Sequence, residues 1–298
     1  MKNYKKISIL ILFTLIISFV GCSKKKEIIK IATKPMTEQF ILGEMLSLLI
    51  EENTNLNVEI TKGVGGGTSN IHPAIVKGDF DLYPEYTGTG WSFVLKEEGI
   101  PDDETLYKGL TEKYESKYKL KWVGGLYGFN NTYGLVIRKE LAEKYNIKTY
   151  SDLAAYSSEL TFGAEYDFYE REDGFNGLCA KYGLKFKKSS DMDIGLKYKA
   201  INSKEIDVMN IFTTDGQLAT SDIVVLKDDK NFYQTYYCGT VVSEEVLKKY
   251  PELESILMKM ENILTDKEMA KLNNKVEANG IDEKVVAKEF LVSKGLLK

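Results

Sequence analysis

Short apolar runs alternate with helix-length segments along this chain, and after residue 132 the alternation begins again. Ile28–Thr33 reads as a buried strand, and the apolar spacing from Thr37 to Glu52 predicts a helix with Phe40, Ile41, Met45, Leu48 and Leu49 on one side. Val58–Thr61 reads as a strand, Gly63–Gly67 as a turn, Ile71–Lys77 as a short helix and Phe80–Tyr83 as a third strand. The second round opens with strand Tyr133–Arg138, helix Lys139–Tyr145 and a short helix from Ser151. Leu160–Glu165, Ile206–Phe212 and Ile223–Leu226 are further strands, with helices around Gly177–Tyr182 and Ile194–Ile201. The ending is helical: Pro251–Leu264 as one helix, a capping box at Thr265-Asp266-Lys267-Glu268, and Asp282–Ser293 last. No internal repeat or low-complexity tract is visible.

Such alternation selects an α/β fold with largely parallel sheets. A chain of 298 residues exceeds what one core usually supports, so two lobes are expected. Residues 28–132 with 240–298 form lobe I and 133–239 lobe II, with crossovers near Asn131–Tyr133 and Tyr237–Val241. Ligands of such folds lie in the crevice beyond the carboxyl ends of the strands, so the loops after strands are the informative ones.

The first 21 residues read as an export leader. Lys2, Lys5 and Lys6 precede the apolar run Ile7–Val20, and Gly21-Cys22 comes next. The run is short for a bilayer span. A Cys after a small residue, followed by Ser23-Lys24-Lys25-Lys26, resembles a bacterial lipoprotein signal, with Phe19 where Leu is usual. Cys22 is then the lipidated first residue and 22–27 a tether; the other reading is an uncleaved anchor. Either places the folded part at the extracytoplasmic face of the cell membrane. Cys179 and Cys238 remain, and their pairing is open.

Composition narrows the chemistry. Forty basic against 44 acidic residues argue against nucleic acid as a partner. One His and three Cys leave no material for a His-based zinc site or catalytic triad, so neither metal nor cofactor is expected. His72, before Pro73 at a helix start, reads as structural. The paired acids Asp102-Asp103 and Glu244-Glu245 lie outside strand-end loops, so no glycosidase-type dyad is apparent.

The strand-end loops instead collect aromatic residues. Asp81–Trp91 carries Tyr83, Tyr86 and Trp91 among glycines; Tyr83 and Trp91 read as core packing, Tyr86 as facing the crevice. Tyr127–Tyr133, Phe212–Gly216 and Phe232–Tyr237 make three further clusters. Their ring faces attract a weakly hydrated cation such as a quaternary ammonium, at roughly 0.5–2 kcal/mol per face; a sugar stacking on the rings is the alternative. Gly63–Gly67 lacks the Lys-Ser/Thr ending of a phosphate loop and reads as a tight turn whose amides can still face a ligand. Lys34, after the first strand, is either a solvated lysine or an anion contact beside a helix N-terminus. Arg171, one of two arginines, is either retained by chance or matched to a planar carboxylate.

From Ile28 onward the chain resembles the substrate-binding lipoproteins of osmoprotectant ABC transporters, the glycine betaine, carnitine and choline binders. The motifs KPMTEQ, GDFDLYPEYTGTGW, YGFNNTYGLVIRK, FYEREDGFNGL, IFTTDGQL and LKDDKNFYQTYYC carry the resemblance, in order. It implies a two-lobed periplasmic-binding-protein fold, type II-like, with the ligand in the inter-lobe cleft. It also implies an aromatic cage of Tyr86, Tyr133, Phe212 and Tyr236 around a trimethylammonium group, with Phe212 where Tyr is common. Lys34, Thr89 and Arg171 would then hold the ligand carboxylate. Two cations at that end disfavour choline. The implied protein is a monomer, not an enzyme, that delivers its small-molecule ligand to a permease. An enzyme or a sensory domain on the same scaffold is the rival reading.

Overall fold

The computed structural model describes residues 27–298 except 100, 220 and 234. The leader, Cys22 and residues 23–26 of the tether therefore lie outside the described residues. Strands β1 (Ile28–Ala32), β2 (Asn57–Thr61), β3 (Leu82–Tyr86) and β4 (Leu120–Asn130) come first. After them come β5 (Tyr133–Arg138), β6 (Thr161–Ala164), β7 (Lys188–Asp191), β8 (Val208–Phe212), β9 (Ile223–Val225) and β10 (Tyr237–Ser243).

They form two five-stranded sheets with one plan. The first is ordered β2-β1-β3-β10-β4 and the second β7-β6-β8-β5-β9. In the first, β1 pairs parallel with β2 and β3, while β10 runs antiparallel between β3 and β4. In the second, β6 pairs parallel with β7 and β8, while β5 runs antiparallel between β8 and β9. Each sheet's one reversed strand is the strand that arrives from the other sheet, so the expectation of largely parallel sheets holds for the remaining four. All of β10 pairs within the first sheet, from Tyr237 opposite Asn130 onward. The chain has therefore returned before residue 237, three residues earlier than the boundary read from sequence.

Burial explains the elements. Ile29, Ile31 and Ala32 of β1 are fully buried, as a central parallel strand requires. Helix Thr37–Asn53 buries Ile41, Leu42, Met45, Leu46, Leu49 and Ile50 in a core shared with Met269, Leu272, Ala287, Phe290 and Leu291 of the C-terminal helices. A second core under the other sheet gathers Leu135, Ile137, Phe162, Phe168, Leu178 and Val208. The expected capping box is present: Glu268 N–H donates to Thr265 Oγ1, and the Glu268 carboxylate accepts from Thr265 N–H at 2.9 Å.

Five elements depart from the sequence reading. The strand placed at Phe80–Tyr83 runs instead through Pro84 to Tyr86, with all five residues buried. Proline is tolerated there because the β1–β3 ladder is at Ile31–Leu82 and β1 ends at Ala32, so Pro84 lies beyond its neighbour. Pro251–Leu264 is not one helix. Helix Glu252–Leu257 passes into a 3₁₀ turn, and Asn262 and Leu264 then donate backbone N–H bonds to Leu126 and Tyr127 of β4. Gly124 and Gly128 permit that approach, since an added Cβ would stand 2.4 Å from Leu257 O and 2.5 Å from Leu264 O. Finally, helix Asp103–Tyr118, capped by Asp102, and strands β4 and β7 were not anticipated. β7 (KSSD) is a polar strand at the sheet edge with no apolar signal to read.

Tyr83 and Trp91 belong to a core cluster, as expected, and His72 packs edge-on against Tyr114 and Tyr118 with Nδ1 3.2 Å from Tyr83 Oη. Both described cysteines carry free thiols. No helix among the described residues is long and apolar enough to cross a membrane.

Burial pushes the His72 imidazole down to about 4, only partly opposed by Glu85. The unfolded chain takes up that proton near 6.5, so this group's stability contribution is full above that value and is lost as pH falls toward 4. NMR titration of this single histidine should show a midpoint near 4, and His72→Gln should flatten the loss of Tm between pH 6.5 and 4.

Candidate ligand-binding site

Between the sheets lies a cavity of about 430 Å³, lined largely by segments at the ends of strands. Lys34 comes from the loop after β1, Gly63–Gly67 from that after β2, and Tyr86 and Thr89 from the end of β3 and the π-helical turn Thr89–Val94. Glu165, Asp167 and Arg171 come after β6, Asp191 ends β7 and Asp193 follows it, and Phe212 ends β8. Tyr133 opens β5 and Tyr236 precedes β10. All seven cleft residues singled out from sequence, Lys34, Tyr86, Thr89, Tyr133, Arg171, Phe212 and Tyr236, line this one cavity.

Local structure fixes the rings. Tyr133 and Phe212 are a cross-strand pair of β5 and β8, with ring centroids 5.1 Å apart and planes at 35°. Tyr236 meets Tyr133 edge-on at 6.0 Å and donates its phenol hydrogen to Asp173. Gly88 makes room for it: an added Cβ there would lie 2.6 Å from the Tyr236 ring. Tyr86 donates to Glu38 Oε1 at 2.6 Å, and its ring faces Lys34 Nζ at 4.7 Å. Burial raises the hydroxyls of Tyr86, Tyr133 and Tyr236 far above the usual phenol range, so the wall stays neutral.

The two cations are not free charges. Arg171, 2% exposed, donates Nε and Nη2 to the two oxygens of Asp173 at 2.7 and 2.5 Å, and Nη1 to Thr89 Oγ1 at 3.2 Å. Its guanidinium carbon stands 5.5 Å over Tyr133 and 5.9 Å over Tyr236. Burial opposes the Asp173 charge, but Arg171 and the Tyr236 phenol outweigh it and hold that carboxyl below its usual range. Lys34 Nζ pairs at 2.6 Å with Glu85, which is fully buried and also accepts from Thr68 Oγ1 at 2.8 Å. Each cation assigned to a ligand carboxylate thus already has an internal one. Thr89 and Arg171 bond across the cleft from opposite sheets.

Sequence reasoning missed the acidic side of the cavity. Glu165, Asp167, Asp191 and Asp193 line it against the two cations. Acids do therefore occupy strand-end segments: Glu165 and Asp167 come directly after β6, and the alternation in GAEYDFYERE was the available signal. Asp167 makes no hydrogen bond to a described residue, and burial pushes its carboxyl up despite Arg171 and Lys34. Glu165 is satisfied by Lys197 Nζ at 2.7 Å and Asn210 Nδ2 at 2.9 Å. Lys197, 1% exposed, also bonds Asn210 Oδ1 and faces the Phe212 ring at 5.1 Å.

A family model described as the substrate-binding domain of ABC-type glycine betaine transport systems matches residues 27–293. The chain belongs to that family. The carnitine transport binding protein of Listeria monocytogenes is 37% identical over 268 residues, spanning 89% of this chain and 86% of that protein. The ergothioneine transport permease/ergothioneine binding protein of Helicobacter pylori (strain G27) is 49% identical over 268 residues, spanning 89% of this chain and 47% of that protein. The chain thus covers about half of the latter's length. A crystal structure of a glycine betaine/carnitine/choline ABC transporter protein, 33% identical, matches with a TM-score of 0.70 over 92% of this chain and 100% of that one. The fold is the two-lobed periplasmic-binding-protein fold, and the cavity lies in its inter-lobe cleft.

Removing one partner of a buried ion pair leaves the other charge unmatched, at about 3–5 kcal/mol. Lys197→Met should therefore lower the unfolding free energy by about 3 kcal/mol in urea titration, and adding Glu165→Leu should recover at least half of that loss.

Proposed function

We propose that this chain is the extracytoplasmic receptor of an ABC importer and captures a betaine, a small molecule carrying both a trimethylammonium group and a carboxylate. The observation that carries this is the convergence of Tyr86, Tyr133, Phe212 and Tyr236 on one cavity beside Arg171. At roughly 0.5–2 kcal/mol per ring face, four faces contribute at most about 8 kcal/mol, close to what a micromolar dissociation constant requires, and the carboxylate contacts add to it. Three of the five guanidinium N–H donors of Arg171 are engaged, which leaves two for a ligand carboxylate beside Thr89. No bond is made or broken: a ligand bridging the lobes populates the closed state, which the permease then recognises. Lipidation at Cys22 would tether the receptor, a monomer, at the membrane beside its permease.

A specific observation favours one class of betaine. The cavity's acidic lining exceeds its cations, Asp167 is without a hydrogen bond, and Asn131 Oδ1 is buried with no partner among the described residues. These acceptors suit a betaine with additional N–H donors. The 49%-identical relative is an ergothioneine-binding protein, and ergothioneine, a betaine with a thioxo-imidazole ring, supplies such donors.

Isothermal titration of the purified protein with glycine betaine, carnitine, choline and ergothioneine tests both steps. We expect at least one betaine to bind at micromolar concentration or tighter, with ergothioneine tighter than glycine betaine. Binding of none of the four would end the quaternary ammonium reading, and glycine betaine tightest would end the preference. Tyr133→Ala should weaken the best ligand at least tenfold, with the circular dichroism spectrum retained.

A further inference from the structure

Glu38, second residue of helix Thr37–Asn53, is 1% exposed and has no basic hydrogen-bond partner. Its carboxylate is held by neutral donors alone, from four separate segments. Oε1 accepts from Tyr86 Oη at 2.6 Å and from Asn131 Nδ2 at 2.7 Å; Oε2 accepts from Thr214 Oγ1 at 2.5 Å and from Asn273 Nδ2 at 3.4 Å. Tyr86 ends a strand of the first sheet and lines the cleft, and Asn131 lies on the outgoing crossover. Thr214 comes after β8 of the second sheet, and Asn273 belongs to helix Asp266–Glu277, donating also to Thr214 O at 2.8 Å.

The same place holds the rest of the connection between lobes. Thr213 N–H donates to Thr132 O at 3.0 Å, Thr132 N–H to Thr213 Oγ1 at 3.1 Å, Asn131 N–H to Tyr236 O at 3.1 Å, and Tyr236 N–H to Asn130 Oδ1 at 2.6 Å. Both crossovers and the end of β8 thus meet within one hydrogen-bonded patch directly behind the cleft wall. A carboxylate accepts at two oxygens with several lone pairs and donates nothing. It suits a point where four donors from separate segments converge, and burial makes loss of any one costly.

We infer that Glu38 is the positioning residue of the hinge, joining the Tyr86 ring of the cleft to the crossovers about which the lobes turn. It touches no ligand; it fixes the ring that does, and it holds Thr214 of the moving lobe at the axis, where displacement on closure is smallest. This rests on reading the cleft as a betaine site only for its effect on affinity; the tie between lobes stands apart from it.

The test uses Glu38→Gln, Tyr86→Phe, their double variant and Thr214→Val in the mature chain. Hydrogen exchange followed by mass spectrometry is read without ligand over peptides containing 130–133, 212–215 and 235–238, with the β1 peptide as reference. We expect exchange in the hinge peptides to quicken at least tenfold in Glu38→Gln and Thr214→Val, with β1 unchanged. For the best-binding betaine, Glu38→Gln and Tyr86→Phe should each raise Kd at least fivefold. The double variant should bind within twofold of Glu38→Gln, because both changes cut one linkage. Unchanged hinge exchange, or single effects that multiply in the double variant, overturns the proposal. If Glu38→Gln does not fold, Thr214→Val decides through exchange and Tyr86→Phe through affinity, and wild-type behaviour in both overturns it. Should the wild type bind no betaine, the exchange measurements still decide, so failure of the functional reading remains distinguishable.

Discussion

Buried and half-buried carboxylates organise this cleft. Glu38 stands behind Tyr86, Asp173 behind both Tyr236 and Arg171, and Glu85 behind Lys34. Taking an ion out of water costs several kcal/mol unless its hydrogen-bonding capacity is filled. Each of these acids is therefore tolerable only while its partners keep their places, which makes the positions of rings and cations strict. The stability given up in burying charge becomes order in the site, and a site already ordered loses less entropy when a ligand arrives.

That order is carried on a scaffold of two sheets with the same strand sequence, each completed by a strand from the other side. Because β10 is an interior strand of the first sheet, that sheet closes only after the chain has crossed twice, whereas the second is complete after one crossing. The crossing at Asn131–Thr132 is short, and Tyr236 sits at the end of the return. Binding groups and connection are consequently neighbours in space: Tyr133 begins the strand just after one crossing, and Tyr236 stands just before the strand after the other. Movement of one lobe against the other cannot leave those two rings unaffected.

Much of this was legible in the sequence, for identifiable reasons. YGLVIR is buried on both faces and stays apolar as far as Ile137, while IIKIA alternates, with Ile29 and Ile31 buried and Ile28 and Lys30 exposed, so both announce themselves. The Thr265 capping box uses local chemistry that needs no tertiary context. Position beside glycines after a strand drew attention to Tyr86, Arg171 stood out as one of two arginines, and the cage role of Phe212 came from the resemblance. What stayed hidden depends on distant partners. Pro84 reads as a strand breaker until one sees that β1 has already ended beside it. The Pro251–Leu264 helix fails because of glycines over a hundred residues away. Glu38 and Lys197 look like ordinary surface charges, and nothing near them in sequence reveals the donors and acceptors that bury them. Polar β7 carries no hydrophobic pattern at all.

The cations facing the rings have one more consequence. Lys34 stands over Tyr86, Arg171 over Tyr133 and Tyr236, and Lys197 over Phe212. An empty aromatic pocket would ordinarily be a sticky surface, open to any greasy contaminant outside the cell. Here a protein cation already stands over each ring, so an incoming ammonium shares the electron-rich surface with it rather than meeting a bare wall. Recognition in this cleft is therefore an exchange of charged neighbours, not the covering of an apolar surface.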